Sequence, residues 1–335
     1  MPALGIDIGT YTIKIIHGEP GPKPKVTKAI EVYNSTAVAV PTDDAGMEKL
    51  VTLLESIFTD YKLPRTHVRF SLPETVTSTK VISIPPLSDA ELASAIGWQA
   101  EQHIPIPPEE LSLEYQVLYR PDKKDKQPMR VILVGVRKKV VERYVEVFNA
   151  IGIEPELIET QMISIVRSLS IRPEDPTTLV VHLGASSMDQ AIIHGGELQF
   201  VTTHLNGGQL LSKALEQTIG LDASQAEQYK RTYGLDPQQF QGKVRDAILP
   251  AVKVLITEIK KSVQFFVNNH PRETVKRVAL SGGTALLPGL VELVTSELGV
   301  EVLVGAPFSN ATGEIPPTIN QPSMSVCMGL MSREL

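Results

Sequence analysis

Two short segments of this chain combine glycine with hydroxyl residues in the way that phosphate-binding turns do: residues 5–14 (GIDIGTYTIK) and 179–188 (LVVHLGASSM). In each, an apolar run predicts a β-strand, a turn of small and hydroxyl residues follows, and a second apolar strand begins. Glycine lets the backbone approach a ligand closely, and consecutive backbone N–H groups there form a concavity that attracts anions. Because one such turn lies in each half of the chain, the pattern indicates two lobes that close on one polyphosphate.

The first segment also carries side chains suited to a phosphate and its counter-ion. Asp7 ends the first predicted strand, where its carboxylate would face a phosphate-bound Mg²⁺ through a water molecule. Thr10, Tyr11 and Thr12 offer backbone and hydroxyl donors, and Lys14 offers a positive charge for the phosphates. Taken alone, the segment is equally consistent with a glycine-containing hairpin that binds no ligand.

Two other segments could contact a nucleoside. Residues 281–284 (SGGT) follow a predicted strand and open a helix, so that an adenine or ribose could lie flat against the paired glycines. Glu227 and Lys230 are three residues apart on a predicted helix, share one face, and could bind ribose hydroxyls and a base. The structural alternatives are a plain strand–helix turn for the first segment and a solvated ion pair for the second.

Composition narrows the functional classes. The chain has 335 residues, enough for about two domains, and its 42 % hydrophobic and 21 % charged residues are typical of a soluble globular protein. A net charge of −6 gives no electrostatic reason to expect nucleic acid, and we interpret the basic cluster at 123–126 (KKDK) as a solvated loop. The single cysteine, Cys327, excludes an intramolecular disulfide, and the seven histidines lack metal-ligand spacing. The sequence contains no Walker A or GxGxxG motif.

The sequence also bears on membrane association. No apolar stretch approaches the roughly 20 residues that span a bilayer. Direct membrane insertion is therefore not expected, and a partner protein would have to bring this protein to a membrane.

Strand and helix patterns alternate along the chain, which predicts an α/β architecture. A region of different character follows Pro73, where a capping box at 88–91 (SDAE) opens a helix that ends before 104–108 (IPIPP). Residues 74–150 are therefore predicted to form an inserted subdomain with a small sheet and two helices. Because the second half repeats the plan of the first, strands with a phosphate turn and then helices, we expect an ancient duplication.

The only tryptophan, Trp98, lies on the predicted helix of this inserted segment. Core packing is the ordinary explanation for such a residue, but an aromatic ring beside a proline-rich corner also suits a peptide-binding groove. The candidate peptide-binding residues are Trp98, Gln102, Ile104 and Pro105.

Taken in order, the motifs resemble the actin/Hsp70-like ATPase superfamily and, in detail, the PilM family of type IV pilus assembly proteins. The most specific segment is 95–107 (AIGWQAEQHIPIP), which is similar to that family's helix–IPFP signature, and 114–118 (EYQVL) is similar to the strand after it. Residues 226–234, 262–266 and 280–290 are also similar. The resemblance covers nearly the whole chain and implies an actin-like (ribonuclease H-like) two-lobe α/β fold with an inserted FtsA-type 1C subdomain.

The resemblance implies a division of the chain and a ligand, ATP or ADP, between the lobes. The implied parts are lobe 1 at 1–73 and 151–175, the 1C insert at 74–150, lobe 2 at 176–205 and 275–335, and a helical subdomain at 206–274. The residues implied to bind the nucleotide are Asp7, Gly9, Thr10, Tyr11, Thr12 and Lys14 in the first turn, Gly184, Ala185, Ser186 and Ser187 in the second, Gly207 and Gly208 beside the phosphates, Glu227 and Lys230 at the nucleoside, and Gly282, Gly283 and Leu286 at the adenine.

The resemblance further implies a protein partner. The N-terminal cytoplasmic segment of a PilN-like inner-membrane protein would dock in a groove beside the insert, and the pilus motor ATPase is a further candidate partner. The protein would then be cytoplasmic and peripheral to the inner membrane through its partner.

The chain departs from the family pattern at two positions. The second turn usually begins Asp-Ile-Gly-Ala, whereas here it begins with His182, and Met188 replaces the customary threonine. A neutral imidazole cannot supply the anionic group that Mg²⁺ prefers nearby, and no glutamine or carboxylate is obviously placed to orient attacking water. We therefore expect an adaptor in which the nucleotide is a structural pin between the lobes. The alternative is an active ATPase or small-molecule kinase, with Glu159 or Asp189 as its base.

Overall fold

The computed structural model describes residues 1–122 and 127–334. The basic cluster at 123–126, with its interpretation as a solvated loop, lies outside the described residues. In the first half of the chain the elements are β1 (Ala3–Ile8), β2 (Thr12–Glu19), β3 (Lys25–Tyr33), α1 (Asp44–Asp60), β4 (Val68–Leu72), a 3₁₀ turn (Glu74–Val76), β5 (Thr77–Ile84), α2 (Asp89–His103), β6 (Leu111–Tyr119), β7 (Met129–Arg137), α3 (Lys138–Ala150), β8 (Pro155–Thr160) and α4 (Gln161–Leu169).

The second half of the chain continues from Thr178. Its elements are β9 (Thr178–Leu183), β10 (Met188–His194), β11 (Glu197–His204), α5 (Gly208–Ile219), α6 (Ala223–Tyr233), a 3₁₀ turn (Gln239–Gly242), α7 (Lys243–Asn269), β12 (Arg277–Ser281), α8 (Leu290–Leu298), β13 (Glu301–Val304), β14 (Thr312–Gly313), a 3₁₀ turn (Gln321–Met324) and α9 (Ser325–Met331). Among the described residues, no helix is both long and apolar enough to cross a membrane.

Two sheets form the two lobes, and they share the same five-strand topology, to which lobe 1 adds the edge strand β14. The sheet of lobe 1 has the strand order β14-β3-β2-β1-β4-β8, and the sheet of lobe 2 has the order β11-β10-β9-β12-β13. In each, three antiparallel strands form a meander and two parallel strands follow beside the first strand. The repeated order agrees with the duplication that the sequence predicts.

The alternation of side chains along β1 determines which residues face the second lobe. Leu4, Ile6 and Ile8 pack into the core beneath α1, whereas Gly5 and Asp7 point to the opposite face, as residues of a strand alternate. On that face α9 lies so close that a Cβ on Gly5 would come 2.8 Å from the carbonyl oxygen of Cys327. Asp7, near the end of the strand, is thereby directed into the space between the lobes.

Helices α4 and α9 fill the layer between the two sheets. Their side chains form one core cluster with residues of β9, β10 and β12, including Ile165, Val180 and Leu330. The helices are packed backbone to backbone, because a Cβ on Gly329 would come 1.8 Å from the carbonyl oxygen of Ser164. This layer holds the lobes together below the site described next.

The structure corrects the predicted boundaries at two places. Helix α3 was predicted to belong to the insert, but its Tyr144 and Phe148 are buried in the core of lobe 1 with Phe70. The C-terminal segment was predicted to belong to lobe 2, but β14 pairs with β3 and α9 packs on β1. The reason is the same in both cases: an amphipathic helix packs wherever its apolar face finds a sheet, whichever lobe its sequence neighbours form.

The insert is thus smaller than predicted. Its sheet has the order β5-β7-β6 with antiparallel pairing, and α2 covers one face. Leu92, Ile96 and Ala100 of α2 are buried against this sheet. The capping box at the start of α2 is present, with Ser88 bonded to Glu91 as predicted.

Candidate functional site

The two glycine turns have the same geometry. Residues 9–12 lie between the paired residues at the ends of β1 and β2, and residues 184–187 do so for β9 and β10. The N–H of Gly9 donates to the carbonyl oxygen of Thr12 at 3.1 Å, and the N–H of Gly184 donates to that of Ser187 at 3.0 Å. The turns face each other across the two lobes, because the hydroxyl oxygens of Thr10 and Ser186 are 3.0 Å apart.

A cavity of about 280 Å³ lies between the turns. Most of the residues predicted to bind nucleotide line it: Asp7, Gly9, Thr10, Tyr11, Thr12, Lys14, Gly184, Ala185, Ser186, Ser187, Glu227, Lys230, Gly283 and Leu286. The structure therefore brings together, from four separate parts of the chain, the residues that the sequence patterns had singled out.

Three predicted residues, Gly207, Gly208 and Gly282, do not line the cavity but brace its walls. The N–H groups of Gly208 and Gln209, at the start of α5, donate to the carbonyl oxygens of Gly184 and Ala185 at 2.8 and 2.9 Å. These donors hold the second turn and are not directed at a ligand. Gly282 has a φ of +88°, and a Cβ there would come 2.5 Å from the carbonyl oxygen of Leu183, so only glycine fits without strain.

Asp7 is the centre of a buried polar cluster. It is 2 % exposed; Lys14 Nζ donates to its Oδ2 at 3.1 Å, and Ser71 Oγ and Gln161 Nε2 donate to its Oδ1 at 3.3 and 2.6 Å. Burial alone would lower the pKa of Lys14, but the carboxylates of Asp7 and Glu31 outweigh it and the pKa is raised. Lys14 is therefore a cation at neutral pH.

Gln161 lies at the cavity, where the sequence analysis singled out no glutamine. It is the first residue of α4 and lines the cavity. A signal was available: a polar residue stands directly after the end of strand β8, where strand ends meet the cleft of an α/β fold. Thr284, the last residue of the 281–284 segment, also lines the cavity. Arg231, Asn320 and Ser323 line it as well and were not predicted, because each follows or lies far from the motifs that were recognised.

His182 and Asp189 are directly paired across β9 and β10, so their side chains share the face towards the lobe interface. Burial lowers the pKa of His182 to about 4, which makes the imidazole neutral, as expected from the sequence. Its Nδ1 lies 3.1 Å from Ser281 Oγ. Burial, and then the nearby charge of Glu74, raise the pKa of Asp189 to about 7. Within the described part of the chain, its Oδ1 has no hydrogen-bond partner.

Lys230 is buried and Glu227 is partly buried, so this is not the solvated ion pair of the alternative interpretation. Lys230 is 5 % exposed, and its Nζ donates to Glu227 at 2.5 Å, to Ser212 Oγ at 3.0 Å and to the carbonyl oxygen of Gly208 at 3.1 Å. These three bonds use all the donors of an ammonium group. Burial lowers the pKa of Lys230, and Glu227 partly offsets that effect. The pair therefore fastens α6 to α5 and forms a wall of the cavity.

The part of the cavity lined by Gly283 and Leu286 is open and partly apolar. A Cβ on Gly283 would meet nothing within 4 Å, and Leu286 is 54 % exposed. Asn320 Nδ2 donates to the carbonyl oxygen of Gly283 at 3.0 Å and fixes this segment. The guanidinium of Arg231, on α6, lies 5.5 Å from the centre of the Tyr11 ring in the first turn.

The candidate peptide-binding residues divide into two groups. Trp98 is 62 % exposed, and Gln102 and Pro105 are also exposed. Ile104 is 3 % exposed and packs over Gly135 in the core of the insert. Its predicted role as a peptide contact does not fit this position, because its side chain is not available at the surface.

The structure does not bring metal ligands into a cluster. Across residues 1–122 and 127–334, no group of three or more His, Cys, Asp or Glu side chains could hold a metal ion directly.

Comparisons with known proteins agree with this architecture. The structure of a PilM–PilN type IV pilus biogenesis complex superposes with a TM-score of 0.84, at 23 % identity over 98 % of this chain and 97 % of that one. MreB5 of Spiroplasma citri bound to AMPPNP has a TM-score of 0.56, at 13 % identity over 98 % and 94 %. The fold is therefore actin-like.

Sequence comparison assigns the family. The cell division protein FtsA of Neisseria meningitidis is 22 % identical over 229 residues, which are 60 % of this chain and 53 % of FtsA, so the chain spans about half the length of that curated relative. The model of the family described as "Type IV pilus assembly protein PilM" matches residues 5–329. The chain therefore belongs to the PilM family of type IV pilus assembly proteins.

Proposed function

We propose that the protein is a nucleotide-binding adaptor of a type IV pilus assembly machine. It holds ATP or ADP between its lobes and binds the N-terminal cytoplasmic segment of a PilN-like inner-membrane protein, through which it is held at the cytoplasmic face of that membrane. The observation that carries the proposal is the 3.0 Å contact between Thr10 and Ser186, which places two equivalent glycine turns at one cavity. The relatedness of the fold to that of MreB5 bound to AMPPNP supports a nucleotide as the ligand.

The phosphates would lie between the two turns, near Lys14. Its ammonium donates to Asp7 Oδ2 at 3.1 Å and to the carbonyl oxygen of Thr12 at 3.3 Å. An ammonium group has three donors, so one is left for a phosphate oxygen. The backbone N–H groups of the turns and the hydroxyls of Thr10 and Ser186 would supply further donors.

The base would lie against the open wall. Gly283 leaves space beside the main chain, and the exposed Leu286 offers an apolar surface. Arg231, stacked near Tyr11, could cover the other side of an aromatic ring, because a guanidinium packs well on π-surfaces.

Mg²⁺ would be held by the phosphates and by water. Asp7 fits this role: Oδ1 accepts two hydrogen bonds, whereas Oδ2 accepts one from Lys14 and keeps a lone pair for a water molecule. The unpartnered Oδ1 of Asp189, also at the cavity, would be a second acceptor for such water. The ion would supply neutralisation of the phosphate charge.

An adaptor fits the site better than an efficient enzyme does. Glu159, one of the two acids considered as a base, is bonded by Arg167, Ser164 and Arg333 at 2.6 to 2.7 Å. The amide nitrogen of Gln161 is held by Asp7. Steady-state phosphate release by the purified protein separates the two functions: the adaptor releases phosphate no faster than a chain with Asp7→Ala, whereas an ATPase loses its activity in that variant.

The partner segment would bind the insert. Trp98 exposes an aromatic surface of the size that anchors interfaces, with Gln102 and Pro105 also exposed on the same part of the insert. Strand β6 is an edge of the insert sheet, next to β7 only, so an extended peptide could add to it through main-chain hydrogen bonds.

Nucleotide binding is tested by calorimetric titration of ATP and ADP into the unmodified protein and two variants. Gly283→Phe places a ring in the open space at the cavity and should weaken binding at least tenfold. Gly97→Phe is the matched control, because a Cβ on Gly97 also meets nothing within 4 Å but lies on α2 of the insert. Equal nucleotide affinity in all three proteins would place the ligand elsewhere.

A further inference from the structure

The insert is connected to lobe 1 through the chain at both of its ends. Residues 73–76 lead into it from β4, and β7 runs directly into α3. The first connection is fastened by the buried carboxylate of Glu74, which accepts the N–H of Met162 at 2.8 Å and the hydroxyl of Thr77 at 3.0 Å. The base of the insert is therefore fixed to α4 and moves with lobe 1.

The other side of the insert touches lobe 2. Strand β5 lies against β11, and Arg130 of β7 reaches across to the β10–β11 hairpin. One guanidinium nitrogen donates to Gln199 Oε1 at 3.1 Å, and the other forms an ion pair with Glu197. The insert therefore forms a second bridge between the lobes, apart from the nucleotide cavity.

On the lobe 2 side of this contact, the β10–β11 hairpin is held by hydrogen bonds and packing that do not involve Arg130. Gln199 Nε2 donates to the carbonyl oxygens of His194 and Glu197 at 3.3 and 3.1 Å, which leaves Oε1 for the arginine. The neighbouring Gly196, at a φ of +76°, packs so closely that a Cβ would come 2.9 Å from Pro173 Cγ. The hairpin tip thus lies on the segment that connects the two lobes.

The arginine is also positioned. Its guanidinium lies 5.7 Å from the centre of the Tyr119 ring, and only 26 % of its side chain is exposed. Burial lowers the pKa of Arg130, but an arginine remains charged at any physiological pH. Because a partly buried charge is costly to leave unpaired, separating the insert from lobe 2 is opposed at this point.

We propose that Arg130 is a latch that ties the insert to lobe 2, so that the lobe angle at the cavity and the state of the insert change together. A rotation of the lobes moves Glu197 and Gln199 away from Arg130, because the insert follows lobe 1. The following consequence rests on the proposed function. The latch makes nucleotide binding and partner binding influence each other, and thermodynamic linkage requires the effect to be equal in both directions.

The latch itself is tested without any ligand, by hydrogen–deuterium exchange of the unmodified protein, Arg130→Ala and Arg137→Ala. The last is a matched control, because Arg137 also lies on β7 but pairs with Glu110 inside the insert. Amides of β5 and β11 should exchange at least fivefold faster in Arg130→Ala and at the original rate in Arg137→Ala. Combining Arg130→Glu with Glu197→Arg should restore slow exchange. Equal protection in all chains would overturn the latch.

The coupling is tested with the dissociation constant of ADP, measured with and without a saturating synthetic peptide of the PilN N-terminal segment. The peptide should change this constant about fivefold in the unmodified protein and in Arg137→Ala, and less than twofold in Arg130→Ala. If both ligands bind but never affect each other, the coupling is wrong while the proposed function stands. If neither ligand binds, the proposed function has failed and the coupling with it, and the exchange experiment still decides the latch.

Discussion

The pairing of His182 with Asp189 predicts opposite pH dependences of stability for two neighbouring residues. His182 is neutral in the folded protein down to a pKa of about 4, against 6.5 as the ordinary value. Its contribution to stability is present above pH 6.5 and is lost as the pH falls towards 4, since the unfolded chain binds the proton more readily. Asp189 has a raised pKa of about 7, against 3.8. Its contribution is present below pH 3.8 and is lost as the pH rises through 7.

The magnitudes follow from the shifts. One pKa unit corresponds to about 1.4 kcal/mol. Acidification from pH 6.5 to 4 therefore lowers the free energy of unfolding by about 3 kcal/mol through His182 alone. By the same conversion, a rise from pH 4 to 7 lowers it by about 4 kcal/mol through Asp189 alone. Around pH 5 to 6, each residue changes the free energy of unfolding by about 1.4 kcal/mol per pH unit, and the two changes have opposite signs. They therefore largely cancel in the unmodified protein.

Single substitutions should reveal each slope. The free energy of unfolding, measured by urea titration between pH 4.5 and 8, should rise more steeply with pH in Asp189→Asn than in the unmodified protein, and less steeply in His182→Gln. The double variant lacks both groups and should return to the slope of the unmodified protein, which controls for all other titrating residues. The negative charge of Glu74 contributes to the raised pKa of Asp189, so the two carboxyl groups titrate as a coupled pair. Identical slopes in the two single variants would refute the reasoning, because an ion pair between the two side chains gives that result.

Three further outcomes are expected. Asp7→Asn leaves a buried ammonium without its carboxylate and should destabilise the protein by about 3–5 kcal/mol in urea titrations; a loss below about 1 kcal/mol would show that the ion pair is solvated. Gly282→Ala, at a φ of +88°, should lower the melting temperature, whereas Gly283→Ala should leave it unchanged; an equal effect would contradict the packing described. Trp98→Ala should change stability by less than about 0.5 kcal/mol yet weaken PilN-peptide binding at least tenfold in a pull-down or titration, with the exposed Tyr61→Ala as control; unaltered binding would remove Trp98 from the partner surface.

Much of the site was predictable because its chemistry is local. The strand–turn–strand pattern at residues 5–14 and 179–188 needs only apolar runs and a turn of small residues, and both appear as predicted. The same holds for the capping box of α2. That the two turns serve one cavity was also predictable, since the pattern occurs once in each half and the halves have the same strand order.

Other features depend on contacts between residues that are far apart in the sequence, and local sequence patterns do not predict such contacts. Gln161 meets Asp7 across 154 positions, and Arg130 meets Gln199 across 69; no periodicity or motif links such pairs. Helices α3 and α9 pack in lobe 1 because their apolar faces contact its sheet. The chain passes through the insert before α3 and through lobe 2 before the C-terminal segment that ends in α9. The periodicity of apolar residues predicts that one face of a helix will be buried. Which surface that face packs against depends on the free energy of packing in the whole molecule.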